Sequence, residues 1–521
     1  MNKLFNKNSL QTIFTHFMGH SPTWYKIVIL GLLIFNPICL LILGNYITGW
    51  IIVMEFIFTL AFSLKCYPLL PGGLLAIELV FMGMVSPGTV YKEVAYNLEV
   101  ILLLIFMVAG IYFMKDFLSW FFTKILFISK SKIVLSLLFC FFGAFLSAWL
   151  DALTVTAVMI TVCLSFYETY TSASYDERVP GDYTEEEQKE MGKEDLKKFD
   201  GYLCNLLMHG AVGTALGGVS TIVGEPQNIL IGTLMGWNFI EFFNMMAHIS
   251  IPVFLAGLLT VIVVEKFKLF GYGCQLPDRV RNILKQNAKE HKDNMDAGDY
   301  FKILTQGLTF IWLIIALALH LAAVGLVGLS VIIILTTVNG KSEEHQIGKA
   351  FQEALPFTAL LVVFFAIVGM IHTNNLFKPI IDAALAKPGE QQIYTFFIAS
   401  GLLSAISDNV FVATIYIKEA MAAFQNNLID LHQLNLLAIA INAGTNIPSV
   451  ATPNGQAAFL FLLTSAIASR IRLSYIRMFK LAIPYTIILS ITAFIFLTIN
   501  WYPHSEPHSK PAVTGQTSGS H

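Results

Sequence analysis

Apolar runs of about 20 residues recur along nearly the whole chain, each long enough to cross the hydrocarbon core of a bilayer as a helix. The first two lie near residues 26–44 and 47–65, and the series continues to about residue 500. Of 521 residues, 56% are hydrophobic and only 13% charged, whereas a soluble chain carries roughly 25% charged residues. The length holds about ten or more spans. The expected fold class is therefore an all-α polytopic membrane protein.

A net charge of −2, with no basic domain, excludes a nucleic-acid partner. The six cysteines (Cys39, Cys66, Cys140, Cys163, Cys204, Cys274) fall mostly in apolar runs without a CxxC pair. That pattern points to buried structural thiols and not to a metal or disulfide framework. Residues 1–25 are polar and lack a small-residue cleavage pattern after a short apolar core, so no removable signal peptide is expected.

One carboxylate stands out against this background. Asp151 is the single charge in the stretch 133–160, and its surroundings return 257 residues later (408 − 151). Leu146-Ser-Ala-Trp-Leu-Asp-Ala-Leu-Thr-Val155 aligns without gaps on Leu403-Ser-Ala-Ile-Ser-Asp-Asn-Val-Phe-Val412, with five identities in ten positions and Asp151 on Asp408. A charge at membrane depth costs about 3 kcal/mol or more unless it is paired, hydrated or bound to an ion, so it marks a functional site. Each aspartate joins two apolar segments that are short for separate spans. A hairpin that enters the membrane, turns at the aspartate and leaves by the same side fits this. Taken alone, either aspartate also reads as a simple helix N-cap at the membrane surface; their repetition favours a site.

A second pair of motifs follows. Gly217-Gly-Val-Ser-Thr-Ile-Val-Gly-Glu-Pro-Gln-Asn228 loosely matches Asn446-Ile-Pro-Ser-Val-Ala-Thr-Pro-Asn454. Pro226 and Pro453 are 227 residues apart, 30 fewer than the aspartates (257 − 227), and an insertion at the acidic stretch 168–200 reconciles the two offsets. Gly217, Gly218, Gly224 and Pro226, then Pro448, Pro453 and Gly455, each break a helix. Broken helices free backbone carbonyls that attract cations. The hydroxyl and amide oxygens nearby (Thr154, Ser220, Thr221, Asn228, Ser407, Asn409, Thr445, Asn446, Ser449, Thr452, Asn454) are hard ligands for a small hard cation. Glu225 reads as a ligand, a proton carrier or an exposed loop acid. An ordinary Gly/Pro-rich loop at the bilayer edge is the blander account of this motif.

The remaining ionisable groups in apolar runs (Glu55, Glu78, Glu99, His209, His320, His372) belong to no repeated pattern. Several lie near span ends, where headgroup contact or a helix–helix hydrogen bond explains them. His209, nearest a broken segment, is a candidate pH reporter. No GxxxxGK[ST] phosphate loop, HExxH zinc site or GxSxG elbow occurs, which disfavours ATP-driven transport within the chain and hydrolytic chemistry. Two membrane aspartates also suggest an intramembrane aspartyl protease, but the Gly-Asp context is missing at both. No cofactor is expected.

Polar segments fix an expected orientation. Residues 168–200 are acidic (Glu185-Glu-Glu187, Glu194-Asp195), and 266–300 are basic (Lys266, Lys268, Arg279, Arg281, Lys285, Lys289, Lys292). With Lys3, Lys7, Lys130 and Lys132, the positive-inside rule puts the N-terminus and both loops in the cytoplasm. The tail after about residue 503 is rich in Ser, Pro, His and Gly, a composition that stays disordered.

These residues give the chain a resemblance to the ion-transporter superfamily that holds divalent-anion/sodium symporters and arsenite pumps. Within it, the chain is similar over nearly its full length to NhaB-type sodium/proton antiporters. The carrying segments are Glu55-Phe-Ile-Phe-Thr-Leu-Ala61, Lys65-Cys-Tyr-Pro-Leu-Leu-Pro-Gly-Gly-Leu-Leu-Ala-Ile-Glu78, Met107-Val-Ala-Gly-Ile-Tyr-Phe-Met-Lys115, Val223-Gly-Glu-Pro-Gln-Asn228, Leu355-Pro-Phe-Thr-Ala359, Ile406-Ser-Asp-Asn-Val-Phe-Val412 and Asn446-Ile-Pro-Ser-Val-Ala-Thr-Pro-Asn-Gly-Gln-Ala-Ala-Phe459. In anion-transporting members the hairpin tips look like Ser-Asn-Thr; here they read Leu150-Asp151-Ala152 and Ser407-Asp408-Asn409. Two added negative charges repel a dianion, attract Na⁺ and offer a titratable site.

The resemblance implies two inverted-topology repeats, each with a re-entrant hairpin and a discontinuous transmembrane helix. Residues 1–97 form an N-terminal cytoplasmic segment and scaffold helices. The first repeat covers 98–265, with its hairpin at about 133–167, the acidic loop 168–200 and a broken helix at about 203–235. The basic loop 266–300 and scaffold helices 301–353 follow. The second repeat covers 354–500, with its hairpin at about 392–424 and broken helix at about 434–468; the tail is 501–521. The implied activity is electrogenic Na⁺(Li⁺)/H⁺ antiport by alternating access in a bacterial inner membrane. Asp151 is the first candidate for the Na⁺- or proton-binding carboxylate and Asp408 the second. Burial favours a protonated carboxyl and a bound cation favours an ionised one, so competition for one site couples the two fluxes. Expected partners are Na⁺, Li⁺, H⁺ and the lipid bilayer, with a homodimer among the candidate assemblies. A sodium-coupled anion symporter of the same fold is the main rival, and a structural subunit of a larger ion-pumping complex is another.

Overall fold

The computed structural model describes residue 12 and residues 14–173, 185–341 and 343–499. Regular structure among the described residues is entirely helical. Helix α1 (Thr23–Ala61) is apolar throughout, but Gly44, with φ 74° and ψ 176°, leaves helical geometry between the first two apolar runs. Only glycine adopts that conformation readily. Asn36 donates to Glu55 Oε2 at 2.8 Å; on a continuous helix these residues would lie roughly 28 Å apart. The helix therefore doubles back at Gly44 into two antiparallel arms.

Helices α2 (Leu69–Phe81), α3 (Pro87–Tyr96) and α4 (Leu98–Tyr112) come next. Ser86 caps α3 by accepting from the Thr89 amide at 3.0 Å, and α3 meets α4 at a 58° bend. Helix α5 (Lys115–Ile128) leads into the first repeated unit: α6 (Lys132–Ser147), α7 (Ala152–Ala173), α8 (Glu185–Gly218) and α9 (Pro226–Met235). Helices α10 (Phe239–Lys266), α11 (Asp278–Asp293), α12 (Ala297–Ala318) and α13 (Val324–Val338) connect the halves. After α14 (Glu344–Thr373) and α15 (Lys378–Leu385), the pattern recurs as α16 (Gly389–Ser404), α17 (Asn409–Gln425), α18 (Leu431–Asn446) and α19 (Ala457–Thr464). Two helices, α20 (Ala466–Arg470) and α21 (Tyr475–Thr498), close the chain.

Among the described residues, seven helices are long and apolar enough to cross a membrane, or eight if the bent α3–α4 pair is one span. This is fewer than the apolar runs suggest, because α1, counted once, holds two arms that reverse at Gly44, and several runs end short at breaks. The polar stretches are also more ordered than their composition implies. Residues 185–200, read from sequence as part of an acidic loop, form the first turns of α8, and 278–293 of the basic stretch form α11. The tail 501–521 lies outside the described residues.

Small residues set the helix spacing. A Cβ on Gly213 or Gly217 of α8 would strike the backbone of Cys140 or Ala144 on α6. In the second unit, a Cβ on Gly444 of α18 would strike Phe397 and Ser400 of α16, and one on Gly401 would meet Pro448 at 2.8 Å. Thus α6 lies on α8 as α16 lies on α18, at matched positions of the sequence repeat. Close backbone approach through small residues is how helices associate where lipid supplies no hydrophobic drive. Pairing of α4 with α13 uses the same device, since a Cβ on Gly328 would sit 2.7 Å from the Met107 amide nitrogen.

A buried polar pin joins the first unit to the helices behind it. Glu265 of α10 meets His209 Nε2 at 2.7 Å, accepts from Ser136 at 3.0 Å and lies 3.5 Å from the Lys132 amine. His209 Nδ1 contacts the Tyr485 hydroxyl at 2.7 Å. Four helices, α6, α8, α10 and α21, converge there, and His209 is engaged on both ring nitrogens.

Candidate functional site

Both aspartates sit where a helical pair turns. Helix α6 ends at Ser147; the Leu150 amide closes back on the Leu146 carbonyl at 2.7 Å, and Trp149 stacks on Phe239 with ring centroids 5.0 Å apart. Asp151, 5% exposed, then heads α7. Its Oδ1 accepts from the Thr154 amide at 3.1 Å and its Oδ2 from the Thr154 hydroxyl at 2.5 Å. At the second turn, Asp408 Oδ1 accepts from the Val410 and Phe411 amides at 2.8 and 3.2 Å. Each aspartate is thus an N-cap, as one reading of the sequence allowed, and each leaves carboxylate lone pairs unused. The positive end of each helix faces its own carboxylate.

Each turn is also held by a threonine from the neighbouring break. Thr221 donates to the Ala148 carbonyl at 2.6 Å, and Thr452 to the Ala405 carbonyl at 2.5 Å. Ala148 and Ala405 are 257 residues apart, the spacing of the aspartates.

At the breaks, α8 stops at Gly218 and α9 starts at Pro226; α18 stops at Asn446, a short 3-10 turn follows (Pro448–Ala451), and α19 starts at Ala457. Gly224 passes so close to the Gly218 backbone that no side chain fits. Carbonyls freed at the breaks are claimed by amide side chains. Asn228 donates to the Gly218 and Thr221 carbonyls, both at 2.7 Å, and Gln456 donates to the Asn446 carbonyl at 2.8 Å. The two breaks then clasp each other. Gln227 donates to Asn446 Oδ1 at 2.9 Å, and Asn446 donates to Asn228 Oδ1 at 3.1 Å.

A cavity of about 860 Å³ opens beside this clasp, lined by Thr154, Glu225, Gln227, Asp408, Asn409 and Asn454, with Asp116 and Lys115 also on its wall. Glu225 is 4% exposed, lies within electrostatic reach of both Asp151 and Asp408, and has a buried Oε1 with no donor. Asn454 Oδ1 and Gln456 Oε1 are likewise buried without a donor. Carboxylates and orphaned carbonyl-type oxygens form the donor set of a small hard cation.

The sequence candidates fall into three groups. Thr154, Glu225, Asp408, Asn409 and Asn454 reach the cavity, with Asp151 bonded to Thr154 at its edge. Thr221, Asn228, Asn446 and Thr452 act as staples and clasp. Ser407, Thr445 and Ser449 turn their hydroxyls to the carbonyls of Leu403, Ile441 and Asn446, at 2.7, 2.9 and 2.8 Å, and serve the local backbone. Sequence reasoning missed Gln227, Gln456 and Ser404, whose hydroxyl bonds both Asn409 and the Thr445 carbonyl. A signal existed for Gln227: the 227-residue offset places it on Asn454.

Known proteins resemble this chain over nearly its whole length. The model of the family described as "Bacterial Na+/H+ antiporter B (NhaB)" matches residues 6–506. A protein from Marinomonas sp. (strain MWYL1), named Na(+)/H(+) antiporter NhaB, is 56% identical over 486 residues, covering 93% of this chain and 97% of its own length. Proteins of the same name are 56% identical over 492 residues in Hahella chejuensis (94% and 98% covered) and 52% identical over 522 residues in Vibrio cholerae El Tor Inaba N16961 (97% and 98% covered).

Proposed function

We propose, because this chain belongs to the bacterial Na+/H+ antiporter B (NhaB) family, that it exchanges Na⁺ for H⁺ at the cavity beside Asp151 and Asp408. It is a multi-pass membrane protein and a secondary transporter, not an enzyme. The observation that carries the site assignment is the convergence of Asp408, Glu225 and the Asp151–Thr154 pair on one cavity at two helix breaks. Asp151, Asp408 and Glu225, with Asp116 on the same wall, outnumber the lining amine of Lys115 and attract a cation. Repelling an anion, they oppose the symporter alternative.

Asp151 binds Na⁺ or protons in turn, with Asp408 as its partner and Glu225 as a third acid of the same cavity. Matched turns, staples and breaks in the two units support inverted repeats with re-entrant hairpins, and alternating access moves them against the remaining helices. Li⁺ substitutes for Na⁺ as an ion of the same charge. The cycle is electrogenic if more than one proton enters per Na⁺, and the membrane potential then drives it by about 2.3 kcal/mol per charge per 100 mV. The N-terminus and the stretches 168–200 and 266–300 face the cytoplasm across the inner membrane, and a homodimer is the candidate assembly.

The test is Na⁺-dependent dissipation of ΔpH by purified protein in liposomes, wild type against Asp151→Asn. Loss of exchange in a well-folded variant supports the reading. Unchanged exchange removes Asp151 from the mechanism, and dicarboxylate-dependent Na⁺ uptake without ΔpH dissipation overturns the antiport assignment.

A further inference from the structure

The helical reversal at Gly44 brings together three side chains that sequence spacing keeps apart. Asn36 Nδ2, on the first arm of α1, donates to Glu55 Oε2 at 2.8 Å and to Glu78 Oε2 at 2.9 Å, so one amide nitrogen bridges carboxyl groups from the second arm and from α2. Asn36 is fully buried and Glu55 is 6% exposed. Two oxygens of this trio, Asn36 Oδ1 and Glu55 Oε1, are buried and receive no donor. Neither carboxyl group forms an ion pair with a described lysine, arginine or histidine.

Among the described residues, no lysine, arginine or histidine pairs with this corner. The charged group acting on Glu55 is Glu78. Helix α14 presents Phe364, edge-on to Phe56 at 5.5 Å, and Val363 beside Gly72. The Lys26 amine, on the first arm, is turned to the Thr15 and Gly19 carbonyls at 2.8 and 2.7 Å. Pro37 removes the intrahelical donor to the Leu33 carbonyl one turn away. A groove of about 510 Å³ between the arms of α1, walled by Leu32, Phe35, Trp50 and Met54, reaches Glu55. Acceptors outnumber donors here, and a positive ligand is what this chemistry lacks.

We propose that Asn36, Glu55 and Glu78 form a second cation site, separate from the aspartate-lined cavity, that takes one proton or one Na⁺. Its place on α1 sets it near the central site. Glu55 lies six residues before Ala61, roughly 9 Å along the helix, and the Ala61 carbonyl accepts from Asn454 at 3.0 Å in the cavity wall. The proposal does not depend on the roles of Asp151 and Asp408.

The experiment uses full-length protein purified in detergent, comparing wild type with Glu55→Gln and Glu78→Gln. Proton uptake is titrated in Na⁺-free solution from pH 9 to pH 6, and bound ²²Na⁺ per chain is counted at pH 9. An ordinary exposed glutamate titrates near pH 4.3 and takes up essentially no proton in that interval, so a proton site shows as a loss of about one proton per chain in the variants. A Na⁺ site shows instead as a loss of one bound Na⁺ per chain, with the remaining Na⁺ retained. Glu55→Asp should restore the missing count. Unchanged counts in both variants overturn the proposal, as does a loss in Glu55→Gln that Glu55→Asp does not restore, which marks a packing defect.

Discussion

Gln227 donates to Asn446 Oδ1 across 2.9 Å and so joins two helix breaks that lie 219 residues apart. Gln227→Ala leaves that buried oxygen without its donor, a loss of ~1–3 kcal/mol. Thermal unfolding in detergent should shift down. In a double-mutant cycle, Asn446→Ala combined with Gln227→Ala should cost less than the sum of the singles. Strict additivity would show that the bond is not a clasp.

Thr154 holds Asp151 through both its amide and its hydroxyl. Thr154→Val keeps the shape and the amide bond but removes the hydroxyl. If Asp151 binds Na⁺ as proposed, the half-saturating Na⁺ concentration should rise roughly fivefold, equivalent to ~1 kcal/mol. Thr154→Ser should stay near wild type. The readout is the Na⁺ dependence of ΔpH dissipation.

Two glycines of α8 should respond oppositely to alanine. At Gly217 a Cβ has no room against Ala144, so Gly217→Ala should destabilise by ~1–3 kcal/mol or rearrange the α6–α8 crossing. At Gly192 the space is open, and Gly192→Ala should be neutral or stabilise the helix by up to ~1 kcal/mol. Unfolding temperatures of the two variants give the comparison directly.

Asp200, on α8 ahead of its apolar stretch, has a carboxyl pushed up to about 6 by burial, with Arg472 and Arg477 pulling the other way. The folded state thus prefers the protonated form. Its penalty is absent below about pH 4, grows as pH rises toward 6 and is full above that. Asp200→Asn should accordingly raise the unfolding temperature at pH 7.5 and leave it unchanged at pH 4. An equal shift at both values would trace the effect to packing instead.

Much of this was legible in the sequence because membrane depth penalises polarity. Asp151, Asp408 and the Gly/Pro breaks stood out as costly in an apolar chain, and the gap after residue 44 marked the α1 reversal. The roles of neutral polar residues were not legible. Thr221 and Thr452 read as cation ligands, and the structure adds a role the sequence did not reveal: their hydroxyls donate to the carbonyls of Ala148 and Ala405. Glu55 and Glu78 stood out as charges in apolar runs, but their union with Asn36 did not, since residues 36, 55 and 78 follow no helical period and meet only through the fold.

The threonine staples carry a mechanical consequence. Each turn is fastened to the break beside it, Ala148 to Thr221 and Ala405 to Thr452, while Gln227 and Asn446 fasten break to break. If exchange proceeds by the alternating access proposed above, these bonds favour turns and breaks moving as one unit, with the stroke at its outer seams, where Asn454 meets Ala61 and Lys418 meets Glu93.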